Sequence, residues 1–105
     1  MDFKQRVYQL VKKIPPGKVS TYKEIAREMR NTKLGRAVGQ ALRHNPYPFT
    51  TFNKEKQIPC HRVINSNGSL GGFNQGVEQK IKLLNQEGIK IINNKIDLDK
   101  YLFKF

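Results

Sequence analysis

The feature that most constrains this chain is a pair of short amphipathic segments set almost end to end, STYKEIAREM (20–29) and NTKLGRAVGQALRHN (31–45). Neither is long enough to hold a helix alone, so each must bury an apolar face against something else. In the first, Thr21 followed three residues later by Glu24 makes a capping box with Thr21 as N-cap, and Ile25, Ala26 and Met29 supply the buried side. In the second, Thr32 is the expected cap. Leu34, Val38, Ala41 and Leu42 form an apolar stripe opposite Lys33, Arg36, Gln40 and Arg43. Two short helices joined by a tight turn, the second basic on its outer face, form the pattern of a helix-turn-helix.

The second helix also carries Gly35 and Gly39, with Ala37 and Ala41 beside them. An interior glycine costs about 1 kcal/mol relative to alanine, so a helix that keeps two needs something close to its backbone. Either a neighbouring element packs there, or a thin basic face presses into a narrow groove, and the pattern alone weighs the two equally. Charge tips the balance. Twenty Lys and Arg against eight Asp and Glu leave +12 on 105 residues, which suits a polyanion, nucleic acid first and an anionic membrane surface second. No apolar run is long enough for a transmembrane helix, and MDFKQRVYQL lacks the apolar core of a signal peptide. A cytoplasmic, nucleoid-associated chain without a membrane partner is expected.

The remaining segments read as follows. Phe3, Val7, Leu10, Val11 and Ile14 share one face of a helix over 2–14, which Pro15, Pro16 and Gly17 stop. Residues 46–57 are irregular. IPCHRVI (58–64) is a short β-like stretch, NSNG (65–68) a turn and SLGGFNQG (69–76) a glycine-rich loop. A helix over 76–88 puts Val77, Ile81 and Leu84 on one face and Gly88 at C′. KIINN predicts a strand ending in a turn, and KIDLDKYLF a last short helix. The length suits one domain over 1–105, and the fold class is mainly α with minor β.

Cys60 is the only cysteine. It excludes an internal disulfide. A structural zinc site wants four ligands, and only two histidines accompany the thiol, so no metal is expected. A lone thiol fits a reducing compartment. By residue type alone, most such cysteines are buried and inert. An unperturbed thiol is only about 3% ionised at pH 7, so a nucleophile here needs a base or a positive field. His61 is adjacent, but neighbours along a strand point to opposite faces, and adjacency does not make a pair. Glu87 is a carboxylate able to orient a histidine.

These residues together resemble a known family. IPCHRV is similar to the active-site signature of the O6-alkylguanine-DNA alkyltransferases. GKVSTYKEIA resembles the first helix of that family's helix-turn-helix and RAVGQAL its recognition helix. HNP, PCHRVI, the glycine-rich loop and LLNQEG follow in the family's order, and KIDLDKYLF resembles the segment closing archaeal-type members. The resemblance covers essentially the whole chain. It implies a winged helix-turn-helix-like, C-terminal active domain, and the expectation is a single DNA-binding and alkyl-acceptor domain without the family's N-terminal one.

The resemblance further implies a monomer acting on duplex DNA with an alkyl group on guanine O6, and O4-alkylthymine as a further candidate. The minor groove is only about 6 Å wide, which suits a helix with small residues, and the lesion base is flipped out. Cys60 is then the nucleophile. His61 takes the thiol proton through a water, and Glu87 orients His61. Tyr22 helps rotate the nucleotide and donates to guanine N3, and Asn45 braces the turn into the site. Arg36 fills the place of the extruded nucleotide, with Thr21, Lys33, Ala37, Gly39 and Gln40 the other DNA-binding residues. The Val63 carbonyl accepts from the guanine exocyclic amine, Ser69 and Leu70 complete the pocket, and Arg62 is structural. The thioether product is not reversed by thiol chemistry, so the protein is a single-use transferase that needs no cofactor.

Two departures stand out. Thirteen residues separate Asn45 from Pro59, about twice the number in many members, and the extra stretch, TFNKEKQ, reads as a surface insertion. Leu70 stands where other members carry serine or alanine, which removes a hydroxyl donor and narrows the pocket. Two other functions compete with transfer. One is a lesion-binding module of the alkyltransferase-like kind, in which another residue, commonly tryptophan, replaces the cysteine. The other is a plain DNA-binding regulator with an inert thiol. The presence of Cys60 favours transfer.

Overall fold

Helix α1 (Phe3–Lys12) begins where the Asp2 carboxylate accepts from Gln5 N at 2.8 Å. The computed structural model describes residues 2–45, 57–72 and 76–105. The extra stretch between Asn45 and Pro59 lies, apart from Gln57, outside them, as do 73–75 of the glycine-rich loop. After α1 come β1 (Ser20–Thr21), α2 (Tyr22–Glu28), a 3-10 turn (Thr32–Leu34) and α3 (Gly35–Arg43). A second 3-10 turn (Cys60–Arg62) leads into β2 (Val63–Ile64), followed by α4 (Val77–Gln86), β3 (Ile91–Ile92), β4 (Lys95–Ile96) and α5 (Leu98–Tyr101). This is the expected α class with minor β.

The helix pair forms largely as its sequence dictates. Thr21 Oγ1 accepts from Glu24 N at 3.0 Å, capping α2. One expectation is corrected: Thr32 does not cap the second helix. The Asn31 side chain accepts from Lys33 N at 3.0 Å, which tightens the chain into the first 3-10 turn, and α3 then starts at Gly35 without a side-chain cap. Val7, Val11, Ile14, Ile25, Ala26, Val38, Ala41 and Leu42 close one core under these three helices, and Cys60 and Val63 belong to it.

A second core gathers Val19, Ile64, Leu70, Leu84, Ile89, Ile96 and Tyr101. The seam between the cores is a short parallel ladder that pairs Ser20 with Val63 and Thr21 with Ile64. It sets the start of α2 beside the end of the Cys60 turn. The chain's end braces the same strand, since Val19 N donates to Tyr101 O at 2.9 Å and Phe103 N to Val19 O at 2.7 Å. Residues 91–96 form the expected strand and turn as a hairpin, with Asn93 and Asn94 at φ 52° and 59°.

Two further expectations change. IPCHRVI is β only at Val63 and Ile64, because Cys60–Arg62 turns as a 3-10 helix. On α4 the buried residues are Lys80, Leu83 and Leu84, Ile81 is half-buried, and Val77 is 44% exposed. A lysine occupies the buried face, so apolar periodicity misses it.

Gly68 sits at φ +90°, and a Cβ there would lie 2.8 Å from the Ile96 carbonyl oxygen. The same loop is held by Ile96 N donating to Gly68 O at 2.9 Å. Gly68→Ala is expected to destabilise the fold by about 2 kcal/mol or more, from the left-handed backbone and the clash together. Gly72→Ala, with nothing within 4 Å, should change the urea midpoint little. Equal midpoints for the two variants would contradict this account.

Candidate functional site

A cleft of about 980 Å³ opens between α3 and the 65–72 loop. Tyr22, Arg36, Gly39, Gln40 and Cys60 line it, together with Lys23, Arg43, Asn65, Ser66, Asn67 and Gly72. Five of the expected site residues thus share one cavity. Lys33 and Ala37 do not line it, nor does Thr21, which is 3% exposed and engaged as a helix cap. Lys23 and the Asn65–Asn67 turn are lining residues that the sequence reading did not single out.

The two helix glycines gain meaning here. A Cβ on Gly35 would meet nothing within 4 Å, and one on Gly39 would reach the Tyr22 ring only at 3.9 Å, an ordinary contact. Among the described residues, packing therefore demands neither glycine. This leaves room at the α3 backbone for close approach from outside the chain. Gly71 differs: at φ +71°, a Cβ would lie 3.3 Å from both Tyr22 Oη and Asn65 Oδ1. Gly71 thus lets the loop close onto the tyrosine.

Cys60 is 5% exposed at the cleft floor. Burial pushes its thiol upward, against the lowering effects of the Asn45 side chain, Lys80 and its own backbone hydrogen bond. At neutral pH the group is a thiol and needs a base. Asn45 Nδ2 also donates to the Ile58 carbonyl at 3.1 Å, bracing the segment that enters the turn.

Cys60, His61 and Arg62 form a turn and not a strand. Successive residues of a 3-10 turn lie about a third of a revolution apart, so His61 and Arg62 both reach Glu87 while Cys60 faces the cleft. His61 Nε2 lies 2.9 Å from Glu87 Oε2. Beside a carboxylate this nitrogen carries the proton, which leaves the lone pair on Nδ1. Burial lowers the imidazole below its usual range, outweighing the raising effect of Glu87, so His61 is neutral at pH 7.

Glu87 is raised by burial, but the hydrogen bonds and charges of His61 and Arg62 bring it down to about 2. Arg62 Nε donates to Glu87 Oε1 at 2.9 Å, Nη2 to Oε2, and Nη1 to the Ile14 carbonyl at 2.9 Å. Arg62 is thus a buried brace between the end of α1 and the carboxylate. Tyr22 is raised by burial first and by Cys60 second, which keeps its hydroxyl a donor.

Of the three expected pocket residues, none lines the cleft. The Leu70 side chain is 3% exposed within the second core. Ser69 Oγ donates to Asn67 Oδ1 at 2.7 Å and accepts from Asn65 Nδ2 at 2.8 Å, which ties it into the loop. The Val63 carbonyl accepts from Lys80 Nζ at 2.9 Å. Lys80, fully buried and lowered by burial to about 8, is the ionisable group near the thiol that the sequence reading missed. Among the described residues, no three His, Cys, Asp or Glu side chains gather as metal ligands would, and no helix is long and apolar enough to cross a membrane.

A family model described as 6-O-methylguanine DNA methyltransferase, DNA binding domain, matches residues 2–89. This chain belongs to that family. A methylated-DNA–protein-cysteine methyltransferase of Sulfolobus acidocaldarius is 47% identical over 90 residues, 86% of this chain and 52% of its own length. A bifunctional methyltransferase/endonuclease of Picrophilus torridus is 40% identical over 103 residues, 98% of this chain and 32% of its own. The chain thus spans about half or less of the length of these curated relatives. Among solved structures, Mycobacterium tuberculosis OGT in complex with DNA matches at TM-score 0.74 and 39% identity, over 84% of this chain and 49% of that one. S. pombe Atl1, in complex with damaged DNA containing O6-carboxymethylguanine, matches at TM-score 0.81 and 36% identity, over 98% of this chain and 95% of that one.

Proposed function

We propose that this chain repairs alkylated DNA by moving the alkyl group from guanine O6 to Cys60, once per molecule. The observation that carries the reading is a buried thiol at the floor of a basic cleft, next to a neutral histidine fixed by a carboxylate. The Cys60 proton passes through a water to His61 Nδ1. The thiolate sulfur forms a bond to the alkyl carbon, and the carbon–O6 bond breaks with its electron pair going to the purine. The Tyr22 hydroxyl donates to guanine N3 and stabilises that anion as it leaves. The glycine-bearing α3 enters the minor groove, with Arg36 in the space of the flipped nucleotide. A lesion that pairs poorly lowers the cost of flipping, which is a few kcal/mol. O4-alkylthymine fits the same chemistry as a second substrate.

Intact-protein mass spectrometry after mixing with an O6-methylguanine duplex tests this. One added methyl per chain is the expected result. A second reading has its own support, because the Atl1 match covers nearly the whole of both chains. If the chain binds the lesion with its mass unchanged, it is a lesion-binding module and not a transferase.

Arg36 is exposed on α3 and lines the cleft. Arg36→Ala is expected to slow transfer from duplex by about tenfold or more, equivalent to ~1.4 kcal/mol, while transfer from the free base O6-benzylguanine changes little. Equal losses on both substrates would sink the proposed role for Arg36.

A further inference from the structure

The hydrogen bonds of the 65–69 turn fix which way each side-chain amide points. Ser69 N lies 2.9 Å from the Asn67 side chain. A backbone N–H can only donate, so Asn67 presents its Oδ1 there. The Ser69 hydroxyl meets the same oxygen at 2.7 Å and must also donate to it, which uses its single proton. Toward Asn65, 2.8 Å away, the hydroxyl can then only accept. Asn65 therefore turns its Nδ2 to the serine and its Oδ1 the other way. Asn65 N donates to Ser69 O at 2.9 Å and Gly68 N to Asn65 O at 3.0 Å, so the backbone holds this direction.

The freed oxygen faces the tyrosine. The place of a Cβ on Gly71 is 3.3 Å from Asn65 Oδ1 and 3.3 Å from Tyr22 Oη. Both residues are half-buried and line the cleft that holds Cys60. Among the described residues, Asn65 Oδ1 accepts no hydrogen bond and Tyr22 Oη makes none. Two polar atoms held partly out of water without partners cost free energy. A ligand edge that carries an acceptor and a donor side by side satisfies both. Guanine has that edge on its minor-groove side, the N3 acceptor next to the N2 amine, whereas adenine has N3 and no amine.

We propose that Asn65 is a specificity-determining residue, its Oδ1 accepting from the exocyclic amine of the flipped guanine while Tyr22 donates to N3. The inference rests on the reading of the cleft as the site of the lesion base. The amine has two N–H donors, so Asn65 acts beside the Val63 carbonyl, which already accepts from Lys80 Nζ at 2.9 Å. O4-alkylthymine has no such amine and is expected to gain nothing from Asn65.

The test compares O6-methylguanine with O6-methylhypoxanthine, the same base without the amine, in the same duplex. The parent is expected to accept methyl about tenfold or more faster from guanine, since a site built to bond an N–H rejects the analogue lacking it. In Asn65→Ala this preference should fall by about threefold to tenfold. Loss of the Ser69 tie slows both substrates alike and cancels in the ratio. Free O6-benzylguanine and O6-benzylhypoxanthine repeat the comparison without the flipping step. An asparagine that only ties the loop would leave the preference in place, and that result overturns the proposal, as does a parent with no preference.

Where Asn65→Ala does not fold, Asn65→Ser replaces it, keeping a hydroxyl but no amide oxygen, and the same ratio is read. If the parent adds no methyl to Cys60, the proposed function fails, and equilibrium affinity for the two lesion duplexes, read by fluorescence anisotropy, decides the role of Asn65. Tighter binding of the guanine duplex by the parent, with a smaller difference in Asn65→Ala, supports the role. Equal differences in the two proteins overturn it.

Discussion

Cys60→Ser is expected to abolish alkyl transfer, with the rate falling by about four orders of magnitude or more, while lesion binding stays within about twofold. The estimate follows from the nucleophile. A thiol is weak at its free pKa but ionises within reach of a histidine base, whereas a hydroxyl does not. The environment sharpens the difference. Cys60 is nearly buried, and burial already disfavours its anion, so a harder anion is disfavoured further. Binding is expected to survive because the side chains proposed to face DNA sit on α3 and the substitution leaves that helix unchanged. The serine hydroxyl enters a largely apolar core and is expected to destabilise the fold by about 1–2 kcal/mol, measurable in urea. Methyl gain by Cys60→Ser in the mass spectrum would mean that another residue is the acceptor.

The helix pair was legible in the sequence because local signals decide it. A capping box, apolar spacing and a basic stripe all sit within 25 residues, and only the cap of α3 differed, through an asparagine one residue earlier. The thiol site was legible only in part. Cys60, His61 and Glu87 were identified by their order along the chain, but what joins them is non-local. The ladder from Ser20 to Val63 brings Tyr22 to the thiol, and no pattern within either strand announces a pairing of two residues each. The 3-10 turn was hidden for a similar reason. PCHRVI has the composition of a strand, and the pull of Glu87 on two consecutive side chains helps hold it as a turn. Lys80 was illegible because a lysine in an amphipathic helix reads as solvent-facing. Its partners are carbonyls, which have no signature in a sequence. The burial of Leu70 in the second core was equally non-local, since its partners come from several other segments of the chain.

Arg62→Ala is expected to destabilise the fold by about 3–5 kcal/mol, the usual consequence of breaking a buried ion pair from one side. In a small domain whose whole stability is on the order of 5–15 kcal/mol, this is the largest single-residue effect anticipated here. The variant strands both Glu87 oxygens except for the His61 contact, and leaves the Ile14 carbonyl without its donor. The acid response separates this ion pair from general packing loss. Glu87 is held near 2 when folded, below its ordinary value near 4.3 when unfolded. Its contribution, on the order of 2–3 kcal/mol, is therefore present above that ordinary value and lost as pH falls toward 2. His61, lowered by burial, is neutral when folded. It begins to weaken the fold earlier, as pH drops below the usual histidine value of about 6.5. Urea midpoints of the parent should accordingly fall in two stages, the second between about pH 4.5 and 2. Arg62→Ala should start lower at pH 7 and lose less across the second stage, because its Glu87 no longer has a strongly depressed pKa. Parallel curves for parent and variant through that window would show that Arg62 stabilises the fold through packing, and that the charge on Glu87 is held by His61 alone.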